Sequence, residues 1–158
     1  MGKDHDTRQE SAIDPREFEA MVRREMGSGD GSFDFTIESI ARGELRMRLK
    51  FDERQLRPGR TIAGPVMFTL ADTALYAAVL SVVGMVPMAV TTDMTLHFLR
   101  RPKAVDMIAD CKLLRSGSRL MVGDVLLYSD GDEEPVAHAT GTYAVPPSPG
   151  SRSHAKEP

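Results

Sequence analysis

The spacing of apolar positions changes several times along this chain, and each change predicts an element. Residues 1–13 carry no period and are expected to be disordered. Phe18, Met21, Val22 and Met26 then fall three and four apart, the spacing of one helical face. The flanks carry matching signals: Asp14 as N-cap, Pro15 at the first helical position, Glu17 in a capping-box-like place and Gly27 past the end. This helix is expected to pack on a core and to hold no site. From Phe33 the period falls to two through Phe35 and Ile37, and Leu45, Met47, Leu49 and Phe51 repeat it beyond a turn at Gly43, which predicts two antiparallel strands. "DERQLRPGRT" (52–61) reads as a loop. "IAGPVMFTLADTALYAAVLSVVG" (62–84) is almost continuously apolar and predicts a long helix opening at Gly64 or Pro65.

After Gly84 and Pro87 come four strand-like runs, "AVTTDMTLHFL", "AVDMIADCKLL", "RLMVGDVLLYS" and "PVAHATGTYAV". The turns between them, "RRPKA", "RSGS" and "DGDEE", predict hairpins. The proline- and serine-rich residues 146–158 are expected to be a disordered tail. Strands segregated from helices argue an α+β fold with an antiparallel sheet, one domain over 14–145. A long helix that is apolar all round must be covered all round, so the sheet is expected to curl about it.

Composition narrows the function classes. A net charge of −3 gives no electrostatic case for nucleic acid. Cys111 is the lone cysteine, which excludes an internal disulfide and fits a reducing cytoplasm, and "MGKDHDTRQE" lacks the apolar core of a signal peptide. The helix at 62–84 is long enough to span a bilayer. Asp72 near its middle argues against insertion, because a carboxylate there costs about 2.5–3.5 kcal/mol. The acid therefore sits in a protein-buried helix, where chemistry gives it a reason.

The segment "AGPVMFTLADTA" followed by "VTTDMTLHFLRRP" resembles the hotdog-fold acyl-CoA thioesterases of the phenylacetate-degradation type, over roughly residues 30–145. Their signature is HGG, an acid nine residues after the His inside the helix, and a strand that runs into a proline. The resemblance implies a curved antiparallel sheet wrapped around a central helix, and hydrolysis of an acyl- or aryl-CoA thioester without metal or cofactor, coenzyme A being part of the substrate. It implies Asp72 as general base or nucleophile, the Gly64 amide as the group that polarises the thioester carbonyl, and Thr91 close to a water-placing hydroxyl. Ala63 stands in place of the motif's His, Pro65 in place of its second Gly, and Arg57 where some relatives carry Asn. Pro65 and Arg57 beside the site, and Arg100, Arg115 and Arg119 toward the CoA phosphates, are the implied substrate contacts, since the guanidinium fork suits phosphate. Arg101 is a similar candidate.

Pro65 removes an N–H that has no intrahelical partner, so the helix still starts normally and the Gly64 amide stays available. The helix dipole there favours an oxygen gaining negative charge. Gly64 and Asp72 are eight residues apart on one helix, about 12 Å at about 1.5 Å per residue. One carbonyl cannot touch both, so donor and base are expected to come from two subunits of a symmetric homodimer, with a dimer of dimers as an extension. The competing reading is a non-catalytic module that binds an acyl or aryl ligand, which the missing His and Asn favour. A dehydratase would need an Asp–His pair that this segment lacks. His97 and His138 read as structural or surface residues, and the methionines as adaptable filler of core and acyl pocket.

Overall fold

The structure, a computed structural model, describes residues 9–26 and 30–147. In chain order it contains α1 (Pro15–Glu25), β1 (Phe35–Ala41), β2 (Glu44–Leu49), β3 (Leu56–Arg57), β4 (Thr61–Ile62), α2 (Gly64–Val83), β5 (Val90–Phe98), β6 (Met107–Ser116), β7 (Leu120–Ser129) and β8 (Ala137–Ala144). The Asp14 carboxylate caps α1 by accepting from the amides of Arg16 at 2.7 Å and Glu17 at 3.3 Å. Phe18, Met21 and Val22 are buried as their spacing predicts, whereas Met26 is 60% exposed. It is the C-cap residue, with a non-helical backbone, so the period no longer governs it. Gly27, expected past the helix end, lies outside the described residues, as do residues 1–8 and 148–158. Residues 9–13 are held to the fold rather than loose: the Ala12 amide donates to the Ser81 carbonyl at 2.7 Å and Ile13 is buried.

The stretch 52–61 is more than a loop. Asp52 and Gln55 form a capping box around a short 3-10 turn (Glu53–Gln55), and β3 and β4 pair as a two-stranded sheet. Gln55 is buried, and its side-chain amide donates to the carbonyls of Ser32 at 2.8 Å and Lys50 at 2.9 Å.

Six antiparallel strands form the main sheet in the order β1-β2-β6-β7-β8-β5. The expected β5–β6 hairpin is absent: β2 and β7 occupy both sides of β6, so β5 pairs with β8 at the sheet edge. The sheet wraps α2, whose positions from Met67 through Ser81 are largely buried. Gly123 on β7 and Gly141 on β8 stand directly opposite each other. A Cβ on either would lie 2.1 Å and 2.7 Å from Leu75 methyl carbons. The paired glycines make a slot for Leu75, and this close approach sets the depth and rotation of α2 on the sheet.

By length and composition α2 would also suit a membrane, but 67% of its most apolar window is buried inside the protein. Cover is incomplete on one stripe, where Pro65, Phe68 and Thr69 are exposed and Asp72 is half-buried. These positions are spaced as one helical face. Asp72 therefore stands at an opening in the helix's cover.

Candidate active site

The Asp72 carboxylate is held by the sheet. Thr91 and Tyr143 are opposite one another on β5 and β8, and both hydroxyls donate to Asp72 Oδ1, at 2.7 Å and 2.8 Å. A bulge between Thr91 and Asp93 makes this possible. Met94, Leu96 and Phe98 pair with the inward residues Gly141, Ala139 and Ala137, and strict alternation would bring Thr92 to the inner face; the extra residue brings Thr91 instead. Tyr143 is 4% exposed, and its ring stacks on Tyr76 with centroids 5.7 Å apart and planes 16° apart. Tyr76 in turn meets Phe18 of α1 edge-on at 5.6 Å. Burial pushes the Tyr143 phenol above its ordinary range, and the Asp72 charge adds to that, so it remains a proton donor.

With Oδ1 occupied by two donors, no described residue bonds to Asp72 Oδ2. Asp72 lines a cleft of about 400 Å³ together with Thr91, Tyr143 and residues of α1, among them Met21, Val22 and Met26. Contrary to expectation, α1 contributes to the site. Among the described residues the arrangement leaves one carboxylate oxygen unbonded, in a cleft whose wall also carries Glu25 and Tyr76.

Gly64 opens α2 at the other end of the stripe, in a second cleft of about 560 Å³ with Arg57, Phe98, Arg100 and Arg101. Pro65 is the second helical residue, not the first as expected, because the helix begins at Gly64. It has no N–H, and the amides of Val66 and Met67 both donate to the Ala63 carbonyl. Gly64 is thus left as the free amide of the first turn among the described residues. Ala63 supplies no side-chain cap; its own amide donates to the Gln55 carbonyl at 2.9 Å, which ties the helix start to the 3-10 turn. The Phe98 ring lies over Gly64, where an added Cβ would stand 3.2 Å from its Cζ.

Within one chain, Asp72 and Thr91 come together, while Gly64, Arg57 and Arg100 gather in the other cleft. Pro65 is exposed and lines neither. Arg100 is already paired with Glu134 at 2.9 Å. Arg101 donates to the Gly59 carbonyl and makes no ion pair among the described residues, and neither does Arg57. Arg115 and Arg119 are exposed on the β6–β7 hairpin and line neither cleft. Tyr143 and Phe98 were missed. The signal for Tyr143 is the run Ala137, Ala139, Gly141 at every second position of β8, small residues that end in one large polar-tipped ring.

His138 meets Asp124 on the face of the sheet turned away from α2, and neither lines either cleft. Burial pushes the Cys111 thiol up, which leaves it a packed side chain and no nucleophile.

The fold is shared with known relatives. The description of the thioesterase superfamily matches residues 59–136, a span that includes both clefts' helix, the edge strand and the Asp72–Thr91 contact. A Saccharolobus solfataricus protein assigned as an esterase is 31% identical over 109 residues, covering 69% of this chain and 71% of that one. A crystal structure from Silicibacter sp. TM1040, assigned as a thioesterase, is 42% identical with a TM-score of 0.77, covering 89% of this chain and 97% of that one. The phenylacetic acid degradation protein PaaI of Thermus thermophilus, solved as a point mutant, shares the fold at 23% identity and a TM-score of 0.64, over 72% of this chain and 95% of that one. The chain belongs to the thioesterase superfamily, as a hydrolase of the hotdog fold.

Proposed function

We propose that the protein hydrolyses acyl-CoA thioesters at two equivalent sites, each shared between the subunits of a symmetric homodimer. The observation that carries this reading is the half-engaged Asp72: Oδ1 is fixed by Thr91 and Tyr143, no described residue bonds to Oδ2, and Asp72 lines the cleft. Oδ2 takes a proton from water as the water oxygen attacks the thioester carbonyl carbon. The partner subunit's Gly64 amide, at the positive end of its helix, receives the charge that builds on the carbonyl oxygen. The C–S bond then breaks, the thiolate takes the proton back from Asp72, and carboxylic acid and CoA thiol leave.

The edge strand supports the shared site. One side of β5 is unpaired among the described residues, and its inner face runs from Thr91 at Asp72 to Phe98 at Gly64. Antiparallel pairing of two β5 edges about a two-fold axis sets Thr91 of one chain beside Phe98 of the other, and so Asp72 beside the partner subunit's Gly64. Phe98 at 58% and Phe68 at 42% exposure supply apolar surface for such an interface. Arg57 and Arg101, which make no ion pair among the described residues, then flank the thioester on the Gly64 side as cations for the phosphates of CoA. The reaction needs no cofactor, and we place it in a reducing cytoplasm.

The test is thiol release from a panel of short, medium, long-chain and aryl CoA thioesters. Asp72→Asn keeps an Oδ1 that Thr91 and Tyr143 can still serve, but sets an NH2 donor where the base was. Turnover is expected to fall by about 10²–10⁴, the worth of a positioned general base, with the melting temperature retained. Saturable binding without thiol release by the parent protein would instead establish a non-catalytic ligand-binding module.

A further inference from the structure

We propose that the acyl group lies in the groove between α1 and α2, as an unbranched aliphatic chain whose accepted length is set by Met26. The proposal rests on the reading of Asp72 as the base, because that fixes the carbonyl end of the chain at the mouth of the groove.

Val22 and Met26 are a wall common to two clefts: the Asp72 cleft of about 400 Å³, and a smaller one of about 190 Å³ beyond them that includes Phe33, Val66 and Thr73. Both compartments have α1 residues on one side and α2 residues on the other: Asp72 and Tyr76 in the near one, Val66, Thr69 and Thr73 in the far one. The polar side chains of the far compartment are already spent. Thr69 donates to the Pro65 carbonyl at 2.9 Å and Thr73 to the Thr69 carbonyl at 2.7 Å, while both side-chain amide bonds of Gln55 go to backbone carbonyls. Arg54 is engaged by Asp52 at 2.7 Å. In the near compartment the Tyr76 hydroxyl donates to the Pro87 carbonyl, and Glu25 is paired with Arg24 at 2.9 Å. A tail with its own donors or acceptors would lose water and gain little in return, whereas methylenes lose nothing. The groove thus takes an aliphatic chain, with one reactive oxygen at its entrance.

The two wall residues differ in freedom. Val22 is 3% exposed and fixed in the core, whereas Met26 is 60% exposed at the end of α1 and unbranched. A short chain fits before the wall, and a longer one reaches the Phe33 compartment only where the Met26 side chain yields.

The experiment measures kcat/KM on acetyl-, butyryl-, hexanoyl-, octanoyl- and decanoyl-CoA for the parent, Met26→Ala and Met26→Trp. Each buried methylene is expected to raise kcat/KM by about fourfold until the chain meets the wall. The octanoyl-to-butyryl ratio should rise about tenfold or more in Met26→Ala and fall by about as much in Met26→Trp. The ratio cancels any change in the amount of active protein. Parallel titration with S-alkyl-CoA thioethers, which cannot be cleaved, reads the groove by Kd alone. Hydrolysis of none of the thioesters, with the same chain-length shifts in thioether Kd, would sink the activity reading and leave the groove standing. Hydrolysis with one profile shared by all three proteins would overturn the groove and leave the activity standing.

Discussion

Tyr143→Phe removes one oxygen and asks whether the orientation of Asp72 matters. The ring stays on Tyr76 and in its buried place, so the loss is the 2.8 Å bond to Asp72 Oδ1 and a longer one, 3.4 Å, to the Asp72 carbonyl. A hydrogen bond to a charged group contributes about 1.5–3 kcal/mol. Thr91 still serves the same oxygen at 2.7 Å and the half-buried carboxylate can be reached by water, so the low end applies, about 1.5 kcal/mol. Expressed in the barrier, that is about tenfold in kcat at about 1.4 kcal/mol per decade. Expressed in stability, it is a melting temperature about 3–6 °C lower for a chain of this size.

The assay is continuous thiol release with a separate thermal melt. A kcat reduced about tenfold with KM within about twofold is the signature of a positioning residue that acts through Asp72. Thr91→Val should act alike, and the double variant should lose more than the product of the two, since each donor covers for the other on one oxygen. Burial keeps the Tyr143 phenol protonated, so no loss of kcat traceable to this tyrosine should appear up to about pH 10. A Tyr143→Phe protein with a lowered melting temperature and kcat within about twofold of the parent would refute the reasoning and reduce Tyr143 to packing.

Two further outcomes follow from the same geometry. Exchanging the proline, as Gly64→Pro with Pro65→Ala, moves the free amide of the first turn from residue 64 to residue 65 while a proline remains where a helix start tolerates it; kcat should fall about 10²–10³ because the donor no longer points at the same place, and mixing this variant with Asp72→Asn should restore activity through heterodimers that contain one intact site, which a site contained in one chain would not permit. Arg48 holds the Asp130 carboxyl below the ordinary carboxylate range. The folded-state value is depressed, so this stabilisation is present above the unfolded value of about 4 and is lost as pH falls through the folded one. Melting temperature should stay level from neutrality to about pH 5 and drop below about pH 4, and Asp130→Asn should flatten that drop; an unchanged acid slope in the variant would count against it.

How much of this was legible in the sequence depends on the range of the forces involved. The α1 cap, the alternation of β1 and β2, and the span of α2 are local consequences of spacing, so they are readable in order. The place of β5 is not local. The turn "RRPKA" looks like any hairpin connection, and only the competition of β2 and β7 for the two sides of β6 sends β5 to the far edge. Met26 shows the same limit on a smaller scale, since its period is helical while its backbone has already left the helix.

The site divides along the same line. Asp72 and Gly64 are candidates by resemblance to a family motif, and because both lie on one helix their separation can be counted as a distance. The oxygen that holds Asp72 in place was harder, because Thr91 reaches the inner face only through the bulge, and alternation traced back from Leu96 and Met94 points to Thr92. The missing motif His looks at first like a loss of the catalytic apparatus. The structure gives it another meaning: with Ala63 as an uncapped N-cap, Pro65 without an N–H, and the next two amides turned onto the Ala63 carbonyl, the first turn keeps one donor unengaged among the described residues, and it is Gly64. An oxyanion site needs a donor that nothing else engages. By that standard the departures from the motif concentrate the helix start on a single amide rather than dismantle it, and the thiol-release panel will read whether one amide is enough.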